Sequence, residues 1–260
     1  MNLTLASIFK AVLQISLLAL TAGTAIAQDV VTLKVHHFLP PSSTAHAKFI
    51  VPWCDKIAKE SNNRMKCQIY PAMQLGGTPA QLFDQAKDGV ADIIWTVPGY
   101  QAGRFTVSEA FELPFIVTST EKGSRALWHY ATKNAMQEFK GVKPILFHLH
   151  DGNLLHTARK QIKSLEDFRG AKVRSATRQS TKMLTAFGAT PVPMPLPQTP
   201  ESLAKGVIDG ALIPWEVSPA LKLEEIAQFH TELDPSAGQI SNSVFIFAMN
   251  PAKYNSLPPD

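Results

Sequence analysis

The sequence predicts an α/β protein of two similarly built lobes, on three observations. Strand-like and helix-like segments alternate from residue 32. One plan, Thr-Pro followed by Gly and an apolar strand, occurs at 78–98 and again at 199–216. Two β-like runs, KPILFHLHDG at 143–152 and SNSVFIFAMN at 241–250, are placed to carry the chain from one half to the other and back. Two lobes joined by more than one strand describe a clamp, and the cleft of a clamp is where small ligands bind most often.

The elements follow in order. TLKVHHF reads as a strand, 44–60 as a helix, KCQIYP as a strand, about 79–88 as a helix and ADIIWTV as a strand. Such βαβα alternation predicts a mainly parallel sheet covered by helices. In the first copy of the recurring plan Thr78 suits the helix cap and Pro79 its first position. Gln81 completes a capping box, and Gly89 supplies the left-handed residue that stops the helix. The second copy, TPESLAKGVIDGALIPWE, repeats the Thr, Pro and Gly but is a turn shorter. In the second half, Ala171 to Val173 form a short β-like run that Arg174 ends, and a helix starts near Ser175 to Thr177. Arg178 is expected to face outward from that helix. The boundaries expected are a leader over 1–27, a first lobe over 28–151 plus about 241–260, and a second lobe over 152–240.

The leader carries Lys10, an apolar stretch from Ala11 to Leu20 and then Ala25-Ile26-Ala27, an A-x-A cleavage pattern. Gln14 and Ser16 interrupt the apolar stretch, which falls short of the roughly 20 residues a spanning helix needs. Export and cleavage after about Ala27 are therefore expected. Removing Lys10 takes the net charge from +4 to +3. That mild balance, with basic residues scattered, as on a solvated surface, rather than striped, gives no argument for a nucleic-acid partner, and none is expected. Cys54 and Cys67 are a disulfide candidate in an oxidising compartment, the alternative being two buried thiols. YNSLPPD at the end contains Pro-Pro-Asp, which should introduce another helix, so the chain reads as truncated after 260 with its last helices absent.

FELPF (111–115), YPAMQLGG (70–77), FRGAKVR (168–174), FGATPVPMP (187–195) and GVIDG (206–210) stand in the order and spacing of one family. Through them the chain resembles the periplasmic solute-binding subunits of tripartite ATP-independent periplasmic (TRAP) transporters, the DctP type. The resemblance implies a two-lobe periplasmic-binding-protein-like clamp (type II-like), with C-terminal helices that are expected to lie beyond this sequence. It implies a periplasmic location, a receptor rather than an enzyme, and delivery of a small organic acid to a small and a large membrane subunit driven by an ion gradient. No cofactor is implied. It also implies that Arg174, in the position of the family's K-x-R arginine, takes the cargo's carboxylate. A planar guanidinium matches a carboxylate in two hydrogen bonds, and a dry cleft strengthens the pair. Thr177 and its neighbours offer free N–H groups at a helix start.

Aligned on that family, Phe38, Val97, Leu154, Leu196 and Ile213 fall where its sialic-acid receptors place polar groups. Unpaired sugar hydroxyls would cost about 1–3 kcal/mol each. The expected cargo is therefore a compact, largely apolar monocarboxylate, aromatic or a branched 2-oxo acid. Trp215 is placed to stack on it, with interlobe packing as the alternative, and Glu216 to bond a hydroxyl. Some 2-oxo-acid receptors of the family hold a cation with an adjacent Glu and Trp, but the order here is reversed and no metal is expected. His37 and Tyr100 close strands of the first lobe beside the site, and strand alternation sends His36 and His37 to opposite faces.

FHLHDGNLLH places His148 and His150 on one face of a strand with Asp151 and His156 nearby, which invites a zinc reading. No HExxH or cysteine pattern supports it, and simple hydrogen bonding is the commoner use of such histidines. No G-x-S-x-G elbow, P-loop or G-x-G-x-x-G supports an enzyme. An ABC-type binding protein or a sensor ectodomain shares the clamp and stands as the alternative.

Overall fold

The computed structural model of the protein describes residues 30–258, so the leader expected over 1–27 lies outside the described residues. Its strands are β1 (Val31–His37), β2 (Met65–Tyr70), β3 (Ile93–Thr96), β4 (Lys143–Leu149), β5 (Leu154–Thr157), β6 (Lys172–Ser175), β7 (Thr190–Pro193), β8 (Gly210–Ile213), β9 (Phe229–Thr231) and β10 (Val244–Met249). Its α-helices are α1 (Val51–Glu60), α2 (Leu82–Lys87), α3 (Thr120–Tyr130), α4 (Arg178–Ala186), α5 (Thr199–Ala204) and α6 (Pro251–Asn255). The helix expected over 44–60 is continuous but begins with a π-helical segment, Ala45–Ile50, before α1.

Two five-stranded sheets result, ordered β2-β1-β3-β10-β4 and β7-β6-β8-β5-β9. They follow one plan. In each, the first βαβ strand lies between two parallel partners, and a fourth strand runs antiparallel to the third. The chain passes between sheets twice, from β4 to β5 and from β9 to β10. β10 then inserts antiparallel between β3 and β4. Its six residues, VFIFAM, are buried on both faces, which is why it reads as an unbroken apolar run rather than an alternating one. Each fully buried large side chain there, such as Phe247, contributes about 1.5–3 kcal/mol of burial energy. The edge strand β2 alternates instead.

The two Thr-Pro copies differ in detail. Gln81 Oε1 accepts from the Thr78 backbone N–H at 2.8 Å, closing the expected box, and Gly89 is left-handed at φ +78°. In the second copy a 3-10 turn, Leu196–Gln198, starts the helix early. Thr199 is thereby its first residue rather than its cap, and its buried hydroxyl has no partner among the described residues. Cys54 on α1 and Cys67 on β2 form a disulfide with Cα atoms 5.6 Å apart, fastening a helix to the sheet edge.

The candidate cleft site

β6 lies between β7 and β8, with Arg174 opposite Val192 and Ala211. Alternation points Val173 into the second lobe's core and Arg174 toward the other lobe. The Arg174 side chain is 2% exposed. Its Nε–H donates to the Met194 carbonyl at 3.0 Å and Nη1–H to the Leu212 carbonyl at 2.9 Å. Both acceptors are neutral, and no carboxylate among the described residues pairs with it. Burial lowers the guanidinium's pKa, while the Tyr100 phenol beside it favours the charge. Tyr100 also accepts from the Leu196 N–H at 3.3 Å, and burial raises its own pKa. A buried cation without a counter-charge is costly. Arg174 opens onto a small cavity of about 40 Å³ between the lobes.

Aromatic rings wall that cavity. Phe38 stacks on Trp95 (centroids 5.3 Å apart, 18° between planes), Trp95 on Phe245 (4.5 Å, 20°) and Phe245 on His148 (4.9 Å, 16°), while Tyr100 meets Phe38 edge-on. The histidines beneath are hydrogen-bonded. His148 Nδ1–H donates to the Leu149 carbonyl, leaving Nε2 to accept from the Trp95 indole at 2.9 Å. Burial pushes His148 down to about 4, so the ring is neutral and both nitrogens are spent.

Of the residues singled out in the sequence, Arg174, Phe38, Val97, Tyr100, Leu196 and Glu216 line this cavity. Five lie elsewhere. His37 turns away: its Nε2 pairs with His46 Nδ1 at 2.9 Å, its Nδ1 accepts from Leu39 N–H, and burial, with His46 beside it, holds its pKa at about 3. Ile213 packs wholly in the core, and Pro214 faces the cavity in its place. Leu154 lines an outer groove of the second lobe. Trp215 lies in the same groove because the 3-10 turn Trp215–Val217 buries Val217 and turns the indole outward. There it donates to Glu232 and packs against His156 and His230. Thr177 is the α4 cap, its side chain accepting from Ser180 N–H, and it presses on the first lobe beneath the cavity. A Cβ on Gly99 would come within 2.7 Å of its methyl group, so only glycine permits this approach.

Glu216 keeps more than a third of its surface in solvent, yet its carboxyl is pushed up to about 7 by burial. Its Oε2 accepts from Asp151 N–H and its carbonyl from Thr44 Oγ1, each at 3.3 Å, which ties the lobes at the cavity rim. Arg178 does not face outward. Its guanidinium forks onto both carboxylate oxygens of buried Glu109 across the cleft, and Gln179 donates to Glu109 at 2.8 Å. The lobes are closed on each other.

The model of the bacterial extracellular solute-binding proteins of family 7, DctP, matches residues 35–260. Among solved structures, the chain is similar to a TRAP solute-binding protein from Rhodoferax ferrireducens in complex with copurified benzoate. The identity is 52% and the TM-score 0.87, over 89% of this chain and 72% of that one. It is also similar to a marine-metagenome TRAP solute-binding protein specific for aromatic acids, with 3-hydroxybenzoate (47%, TM-score 0.86, 88% and 72% covered). Among characterised relatives, the 2,3-diketo-L-gulonate-binding periplasmic protein YiaO of Escherichia coli is 24% identical over 79% of this chain and 62% of its own length. The chain spans 55–66% of the length of this and other such relatives.

Proposed function

We infer that this chain, which belongs to the DctP family of bacterial extracellular solute-binding proteins, is the periplasmic receptor of a TRAP transporter and captures an aromatic monocarboxylate. The observation that carries the reading is Arg174: a buried guanidinium, paired only with neutral carbonyls and a phenol, at the end of a cavity whose walls are aromatic rings. A carboxylate supplies the missing counter-charge, and a flat ring matches the wall. The benzoate and 3-hydroxybenzoate held by two similar receptors support this choice of cargo. The apolar walls offer too few partners for a sugar acid's hydroxyls.

The mechanism is capture and delivery. An open clamp admits the acid and Arg174 takes its carboxylate. Closure then forms the Arg178–Glu109 pair and the Thr44 to Glu216 bond while expelling water. Cargo stabilises closure only through its greater affinity for that state. The closed receptor then docks to the small and large membrane subunits, whose ion gradient drives transport.

Calorimetric titration of the full-length protein with benzoate, its neutral isostere benzamide and N-acetylneuraminate tests the reading. Benzoate is expected to bind at least about a hundred-fold more tightly than benzamide, because benzamide leaves the buried cation uncompensated. The sugar acid is expected not to bind. Equal affinity for benzoate and benzamide would overturn the assignment.

A further inference from the structure

The cavity holds a second kind of polar group. His150 is buried, lies edge-on to Phe245 and lines the cavity. Its Nδ1–H donates to the Asp151 carbonyl, which leaves Nε2 with a lone pair and no proton. Burial holds the ring's pKa at about 4, and Arg174 nearby also disfavours a charged imidazole. Nε2 has no partner among the described residues. Asn153, also buried and lining the cavity, gives one of its two amide N–H groups to Ser241 Oγ at 2.9 Å, which leaves its carbonyl oxygen and one N–H. The histidine below, His148, is built the same way, and there the lone pair is met by the Trp95 indole N–H. His150 has the same tautomer and lacks the indole.

Resting on the aromatic-acid reading, we propose that His150, with Asn153, is a specificity device that accepts a hydrogen bond from a donor on the cargo's ring, so that the preferred substrates are hydroxy-substituted aromatic acids. Arg174 and Tyr100 take the carboxylate, and the His150 lone pair, with Asn153 beside it, reads the substituent. An unsubstituted ring leaves the His150 lone pair without a donor, and a ring ether brings a second acceptor to it. Of these substituents, only a hydroxyl or an amine carries the donor that lone pair accepts. Discrimination by a buried polar group left unpaired is far sharper than discrimination by an added methylene.

The test is calorimetric titration of the full-length protein with benzoate, 3- and 4-hydroxybenzoate and the matching methoxybenzoates. At least one hydroxybenzoate is expected to bind about ten-fold tighter than benzoate, the worth of one buried acceptor satisfied rather than orphaned. The methoxy analogue at the same position is expected to bind no better than benzoate. In His150→Phe, which keeps a ring edge against Phe245 but has no acceptor, the benzoate to hydroxybenzoate ratio of dissociation constants should fall to near one. In His150→Gln, whose side-chain carbonyl can accept, part of the preference should return. A wild-type protein that does not prefer either hydroxybenzoate over its methoxy partner overturns the proposal without any variant. So does a His150→Phe ratio that stays at the wild-type value, since equal loss for both acids would make His150 a carboxylate ligand. Failure of every benzoate to bind would overturn the aromatic-acid reading itself, and this inference with it.

Discussion

Replacing Glu112 with glutamine removes a carboxyl whose ionisation burial opposes. Glu112 belongs to the FELPF run and is 1% exposed. Its Oε1 accepts from Val244 N–H at 3.1 Å, and its Oε2 has no partner among the described residues. Thr177 of the second lobe lies against it, and no cation pairs with it. Burial first, against the milder help of Val244 and Thr177, raises its pKa from 4.5 to about 7. Between those values the folded protein holds a proton that the unfolded chain has released. Stability therefore falls as pH rises through this window and carries the whole penalty above it. At about 1.36 kcal/mol per pKa unit the penalty reaches about 3 kcal/mol. Glu112→Gln keeps the acceptor for Val244 and cannot ionise. Urea unfolding without cargo at pH 8 should show the variant more stable by up to that amount, and the gap should close as the pH is lowered to 5. A gap of the same size at both pH values, or none at either, would refute the reasoning.

Three further outcomes are expected. Replacing Cys54 and Cys67 together with serine should lower the unfolding free energy by about 3 kcal/mol in denaturant titrations, since the disulfide closes a short loop. Arg178→Ala leaves Glu109 buried without its cation and removes a contact made only when the lobes meet, so calorimetry should show cargo binding weakened several-fold. His148→Phe orphans the Trp95 indole N–H and should cost about 1–3 kcal/mol of stability, read from the thermal midpoint and from a changed tryptophan emission.

Much of the fold was legible because it is local. The βαβα alternation from β1 to β3, the Thr78 box, Gly89 and the all-apolar β10 each follow from periodicity or from one residue's backbone preference. Arg174 was legible as well, since a guanidinium ending a strand needs an explanation. The aromatic wall was not. Trp95 and Phe245 stack because β10 returns to pair with β3, and no spacing within either segment announces that meeting. Trp215 and Leu154 were expected in the cleft and lie in the outer groove, because one 3-10 turn and one strand register decide which way neighbouring side chains point. Arg178 was expected to be exposed, and its partner Glu109, in a distant loop, carries no local signal. His150 drew notice as a metal ligand. Its tautomer, which a sequence cannot show, gives it a different chemistry.

The central claim is that Arg174 is the cation a carboxylate cargo completes. Calorimetric titration of Arg174→Met with benzoate tests it most directly, because methionine keeps much of the side chain's bulk and removes only the charge and its donors. The account predicts a dissociation constant raised by a hundred-fold or more, in line with the roughly 3–5 kcal/mol lost when one member of a buried pair is removed. A folded variant that binds benzoate within a few-fold of the wild type would contradict it.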